Sequence, residues 1–178
     1  MIRSFLAMTR TFAIAPAGPA TLWSVFALLL VVSMPAVIVV STVDSMWPIL
    51  LVPLLAGGLV AYSGYSSREV TFEVSPEGLR IRRSLYGRAI PRDQLLPEEA
   101  RIVEMKEERG LRPALRTFGT GLPGYGEGWF RLANREKALL FFTSSPRAVY
   151  LPTRKGYKLL LSVDRPEEFL EEARRLWG

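Results

Sequence analysis

The sequence predicts a membrane-anchored α+β chain: an N-terminal two-helix transmembrane hairpin, then a small antiparallel β-domain closed by one C-terminal helix. Three observations carry this. Between Arg10 and Arg68 the only charged residue is Asp44. After Tyr65 the chain changes to short alternating segments separated by Gly, Pro, Asn or Ser. The final segment, from Asp164, has the charge order and apolar spacing of a single amphipathic helix.

The charge partition is uneven. Residues 1–65 carry two Arg and one Asp, whereas residues 66–178 carry 21 basic and 16 acidic residues. The domain organisation follows: an N-terminal cytoplasmic segment (1–19), the hairpin (20–65) and the β-domain (68–178). The run 21–43 is uncharged and long enough, at ~1.5 Å per residue, to cross a ~30 Å hydrocarbon layer. A second uncharged run, 47–65, follows across Asp44-Ser45-Met46, so the two spans must be antiparallel. Trp23, Trp47, Tyr62 and Tyr65 stand near the span ends, where aromatic belts belong. The loop between the spans has no Lys or Arg, while Arg3 and Arg10 precede them and Arg68, Arg80, Arg82 and Arg83 follow. This bias puts both termini and the β-domain on the cytoplasmic side of a bacterial inner membrane. No ionisable residue lies inside either span, so there is no ion or proton pathway signature. Gly57, Gly58 and Ala61 are small residues at helix-packing spacing, expected to let the spans approach closely.

In the second half, Val70-Thr71-Phe72-Glu73-Val74 alternates as a half-buried strand does, Ser75-Pro76-Glu77-Gly78 is a turn, and Leu79-Arg80-Ile81-Arg82 alternates again. Further strands are expected at 88–90, 100–105, 114–118, 129–132, 137–143, 147–152 and 157–161. Asp164 is the expected helix cap, with Pro166 in the first turn. Glu167 and Glu168 then open the helix and Arg174 and Arg175 close it, as the macrodipole favours. Phe169, Leu170, Ala173, Leu176 and Trp177 form its apolar face. Phe12-Ala13-Ile14-Ala15 is a candidate short strand, expected to pair with an open edge of the β-domain.

Several short motifs occur in order: Gly119-Thr120-Gly121-Leu122-Pro123-Gly124-Tyr125, Gly128-Trp129-Phe130-Arg131-Leu132, Glu136-Lys137-Ala138-Leu139-Leu140, Val149-Tyr150-Leu151-Pro152-Thr153, Gly156-Tyr157 and Pro166-Glu167-Glu168-Phe169. In these the chain, over about residues 68–178, resembles the bacterial pleckstrin-homology-like (PH-like) domain family. The resemblance implies a PH-like roll of about seven antiparallel strands in two sheets, capped by a C-terminal helix. Such domains often follow a two-span hairpin, and the family has no established common activity.

Composition excludes much chemistry. The chain has no Cys and no His, which removes disulfides, thiol catalysis, His-based triads and most zinc or haem sites. The carboxyl groups are expected on exposed strand faces and the terminal helix, with no buried pair, so no enzyme, metal or cofactor is expected. Gly119, Gly121 and Gly124 satisfy G-x-G-x-x-G, but Pro123 interrupts the motif and a strand, not a helix, follows. The expectation is a long, sharply turned loop, packed by Leu122 and Tyr125, with Gly121, Leu122, Pro123, Gly124 and Tyr125 as a partner-contact surface.

Residues 79–92 hold Arg80, Arg82, Arg83, Arg88 and Arg92 and no acid. Arg80, Arg82, Arg83 and Arg88 are therefore candidates for lipid-headgroup contact. Arg80-x-Arg82 matches half of the phosphoinositide motif of eukaryotic PH domains, but Glu73 and Glu77 stand where a base is wanted. Although the pI is about 10, acids are interspersed and no groove-reading motif appears, so nucleic acid is not an expected partner. The expected function is a non-catalytic, membrane-anchored binding or scaffold module acting through a protein partner or self-assembly. The alternatives are a lipid-surface sensor and an accessory subunit of a transporter. No specific small molecule is expected.

Overall fold

A computed structural model describes residues 9–16 and 70–178 except Pro123, together with Ala27, Val31 and Gly58. Those three positions are helical and exposed. Otherwise the expected spans, with Gly57 and Ala61, lie outside the described residues. Among the described residues no helix is long and apolar enough to cross a membrane. An added Cβ at Gly58 meets no described atom within 4 Å.

Within residues 9–16 and 70–178 the chain forms ten strands and one α-helix: β1 (Arg10–Ala13), β2 (Thr71–Ser75), β3 (Gly78–Arg82), β4 (Ala89–Pro91), β5 (Arg101–Glu104), β6 (Pro113–Leu122), β7 (Tyr125–Leu132), β8 (Lys137–Thr143), β9 (Arg147–Pro152), β10 (Tyr157–Leu161) and α1 (Pro166–Trp177). They make a four-stranded sheet, β1-β2-β3-β4, and a six-stranded sheet, β5-β9-β10-β8-β7-β6. The expectation of about seven strands thus falls short among the described residues.

The all-antiparallel expectation also fails at one place. β10 folds back from β9 and lies between β9 and β8, so it runs parallel to β8, with Leu159 opposite Leu139. The Ser144-Ser145-Pro146 link crosses the end of β10 to reach β9. Two interstrand spacings of ~4.8 Å are within reach of so short an extended link.

Two apolar clusters flank the six-stranded sheet. The larger lies between the sheets and α1; Phe72 and Phe141 meet edge to face across it with ring centres 5.9 Å apart, as do Phe12 and Phe169 at 5.3 Å. The smaller, on the other face, gathers Val103, Leu111, Phe130, Leu132, Ala138, Leu140, Ala148 and Leu160. Ala138-Leu139-Leu140-Phe141 is therefore buried on both faces, which explains why β8 reads as a continuous apolar run rather than an alternating one.

β1 pairs antiparallel with β2, as expected of 12–15. It also reaches the second sheet: Ile14 bridges to Val163, the Ala15 amide donates to Ser162 O at 2.8 Å, and the Asp164 amide donates to Ala13 O at 3.0 Å. The first helical bond of α1 runs from the Phe169 amide to Arg165 O at 3.1 Å. The residue before α1 is Arg165, with no side-chain cap bond, so Asp164 is not the cap the sequence predicts. Pro166 does occupy the first turn, and Phe169, Leu170, Ala173 and Trp177 are buried, with Leu176 packed beside them.

Candidate functional site

The strand register gathers several chain segments at one end of the four-stranded sheet. Ala13 lies opposite Thr71, and Thr71 lies opposite Arg82. The Ile14 amide donates to Val70 O at 3.1 Å. Pro16 and Val70, which border residues 17–69, therefore sit at the same end as the β3–β4 loop (83–88). The β2–β3 turn at Pro76-Glu77 marks the opposite end, where the Trp177 indole N–H donates to Ser75 O at 2.7 Å.

The β3–β4 loop has a defined shape. Arg83 takes a positive φ of 57°, and the Gly87 amide donates to Ser84 O at 3.1 Å. Ser84 Oγ accepts from the Tyr86 amide at 3.0 Å and donates to Glu127 Oε2 at 2.7 Å. This loop carries the two features sequence reasoning missed. Leu85 is 87% exposed, and Tyr86 meets Phe118 of β6 edge to face at 5.6 Å, with Phe118 itself 69% exposed. The available signal was the Arg-Arg-Ser-Leu-Tyr-Gly stretch, an apolar pair at the tip of a basic hairpin.

The structure divides the four candidate arginines. Arg82, Arg83 and Arg88 are exposed at the loop end. Arg82 Nε is 2.9 Å from Glu73 Oε1, so part of its charge is met within the sheet. The Arg88 guanidinium lies 4.9 Å from the Trp129 ring centre, with Lys137 Nζ at 4.5 Å and Tyr157 edge-on at 5.0 Å. Trp129 thus holds two cations beside one indole at the seam between the sheets. Arg80 sits one step back, opposite Glu73 in register. It borders a groove of about 540 Å³ whose lining also includes Thr9, Glu73, Glu77 and Pro91. Arg80 is thus set back along β3 from the loop that carries Arg83 and Arg88.

The glycine segment is not the long loop the sequence predicts. β6 and β7 run on to a tight turn, with Gly121 opposite Gly126 and Leu122 opposite Tyr125. Gly119 and Gly128 lie opposite each other, and Gly128 has a φ of 120°; a Cβ there would lie 2.5 Å from Gly119 Cα. A Cβ on Gly126 would run into the Phe142 ring. Close backbone approach accounts for these glycines. Of the five expected contact residues, Pro123 lies outside the described residues and Tyr125 is buried, so Tyr125 is not a contact surface.

Two carboxyl groups are buried, against expectation. Glu127, 6% exposed, accepts from Ser84 and lies on the same face of β7 as Tyr125. Burial, then the neighbouring Glu127, pushes the Tyr125 hydroxyl above its ordinary range. Glu172 of α1 is 5% exposed and takes a two-pronged pair from Arg175 at 2.5 and 2.9 Å, with Arg10 Nε at 4.0 Å. The Arg175 hydrogen bonds chiefly hold its carboxyl below the usual range. Both carboxyl groups are tied into the fold by partners, which suits packing rather than proton transfer. Among the described residues no three acidic side chains are grouped to hold a metal ion.

Comparison with known proteins gives a family. No curated protein and no solved structure matches the chain. The family described as Bacterial PH domain matches residues 70–176, which takes in β2 through all but the last residue of α1. That match spans both sheets and the capping helix, and by it the chain belongs to the bacterial PH domain family.

Proposed function

We propose that this chain is a non-catalytic, membrane-anchored PH-like module. Its β-domain is held against the cytoplasmic leaflet of a bacterial inner membrane and acts as a binding or scaffold unit for a protein partner or for further copies of itself. The observation that carries the reading is the 3.1 Å bond from the Ile14 amide to Val70 O. It brings together the two described segments that border residues 17–69, within which lie the uncharged runs 21–43 and 47–65, an arrangement compatible with a hairpin that crosses and recrosses a bilayer. Its orientation rests on the Lys and Arg bias around the runs. The absence of His and Cys and the structural ties of Glu127 and Glu172 support a binding role over catalysis.

The test is fractionation with protease protection in the native cell. The chain is expected in the membrane pellet, resistant to alkaline carbonate, with its C-terminal domain cleaved only after the inner membrane is opened. Recovery in the soluble pool, or cleavage by protease added outside, refutes the anchor. Crosslinking in membranes followed by purification then identifies the partner; a chain that crosslinks to neither itself nor another protein refutes the scaffold role.

A further inference from the structure

We propose that the β3–β4 loop is a bilayer-docking tip: Leu85, with Tyr86 and Phe118 behind it, enters the headgroup region of the anionic leaflet while Arg82, Arg83 and Arg88 bind its phosphates. The inference rests on the anchored reading above and adds the contact surface and its ligand chemistry. Three observations converge on it.

The first is exposure. Leu85 and Phe118 are two of the four large apolar side chains that stand exposed among the described residues, at 87% and 69%, and Tyr86, next to Leu85 in the chain, has its ring 5.6 Å from that of Phe118. An apolar tip of this kind on a water-facing loop has an unmet burial preference. The second is charge. The exposed cations flanking the tip in sequence are Arg82, Arg83 and Arg88, of which Arg82 also pairs with Glu73, and residues 79–92 themselves contain no acid. Apolar centre and basic rim together match an anionic lipid surface, in which acyl chains lie beneath a layer of phosphates.

The third is reach. The segments 66–69 and 17–20, which connect Val70 and Pro16 to the runs at 47–65 and 21–43, each extend at most about 14 Å. Both leave the domain at the end that bears the β3–β4 loop, since Thr71 lies opposite Ala13 on one side and Arg82 on the other. Two tethers so short, at one end, hold that end toward the bilayer and the β2–β3 turn away from it. The Ser84 bond to Glu127 and the Tyr86–Phe118 contact fix the loop against the six-stranded sheet, so the tip is presented in a set shape.

Because the chain has no Cys, one introduced thiol is a unique label site. Full-length Leu85→Cys and, as a far-end control, Glu77→Cys are labelled with an environment-sensitive fluorophore. Each is reconstituted into nanodiscs of phosphatidylcholine with or without phosphatidylglycerol. In the anionic discs the label at position 85 is expected to be quenched severalfold more by lipid-borne spin labels than the label at 77, and to be shielded from iodide. Quenching falls in neutral discs and in the Arg83→Gln, Arg88→Gln background. If the chain enters the disc and both labels are equally open to iodide, docking is overturned while the anchor stands. Shielding from iodide without lipid quenching means that protein covers the tip, and it also overturns the leaflet as occupant. A chain that never enters the disc overturns the anchor, and the docking with it.

Discussion

Ser84 Oγ donates to Glu127 Oε2 at 2.7 Å, joining the β3–β4 loop of one sheet to β7 of the other. Ser84→Ala removes this donor and leaves a buried carboxyl group one partner short, an expected cost of about 1–3 kcal/mol. Thermal unfolding of the full chain reads the loss. Amide exchange at 83–88 should accelerate by more than in the rest of the domain; unchanged exchange there would mean that the bond does not order the loop.

Tyr125 makes a second prediction. Its hydroxyl is raised above its ordinary value of 10.0, chiefly by burial and then by Glu127. The folded state therefore keeps this proton where the unfolded chain releases it. The associated stability is complete below pH 10 and declines as the pH rises above it. Tyr125→Phe should flatten that alkaline decline, measured by denaturant titration between pH 9 and 11, while the parent loses stability at up to ~1.4 kcal/mol per pH unit at the upper end.

Glu172 predicts the opposite slope. The Arg175 hydrogen bonds first, then the charges of Arg175 and Arg10, hold its carboxyl below the ordinary 4.5. Its stabilising share is present above that ordinary value and is lost as the pH falls toward the lowered one. Glu172→Gln is expected to lower stability at pH 7 and to shrink the difference from the parent at pH 3. A difference that is constant with pH would show that the Arg175 and Arg10 pairing contributes nothing.

The glycine hairpin offers a test with an internal control. Gly128→Ala forces a Cβ onto a backbone at φ 120° and against Gly119 Cα, so a loss of about 2–3 kcal/mol or more is expected. At Gly110 an added Cβ meets only Asn134 Cβ at 3.6 Å, an ordinary contact. Gly110→Ala should therefore change the midpoint of denaturation little. Equal effects from the two substitutions would remove the close-approach explanation.

Much of the β-domain was readable because its strands alternate or are bounded by turn residues. The expected strands 137–143, 147–152 and 157–161 coincide with β8, β9 and β10. Sheet partnership was not readable, because the parallel β8–β10 pair depends on which neighbour a fold-back strand chooses, and local pattern is silent on that. The glycine-rich stretch misled for a physical reason: Gly permits a loop, but it also permits two backbones to approach face to face, as at Gly119 and Gly128. Asp164 misled because the helix begins one residue later, with the Phe169 amide bonded to Arg165 O, so Asp164 stands one position too early to cap it. At the candidate site, charge type was legible in Arg82, Arg83 and Arg88, whereas the exposure of Leu85 and the Tyr86–Phe118 contact required the fold.

The seam formed by β1 also bears on how the chain is made. Arg10–Ala13 leaves the ribosome before its partner β2 exists, and Ile14 waits longer still for Val163. β10, which fills the gap between β8 and β9, likewise follows both of them in the chain. The nascent chain must therefore leave Ile14 without its bridge partner, and its larger sheet divided, until residues 157–163 have been made.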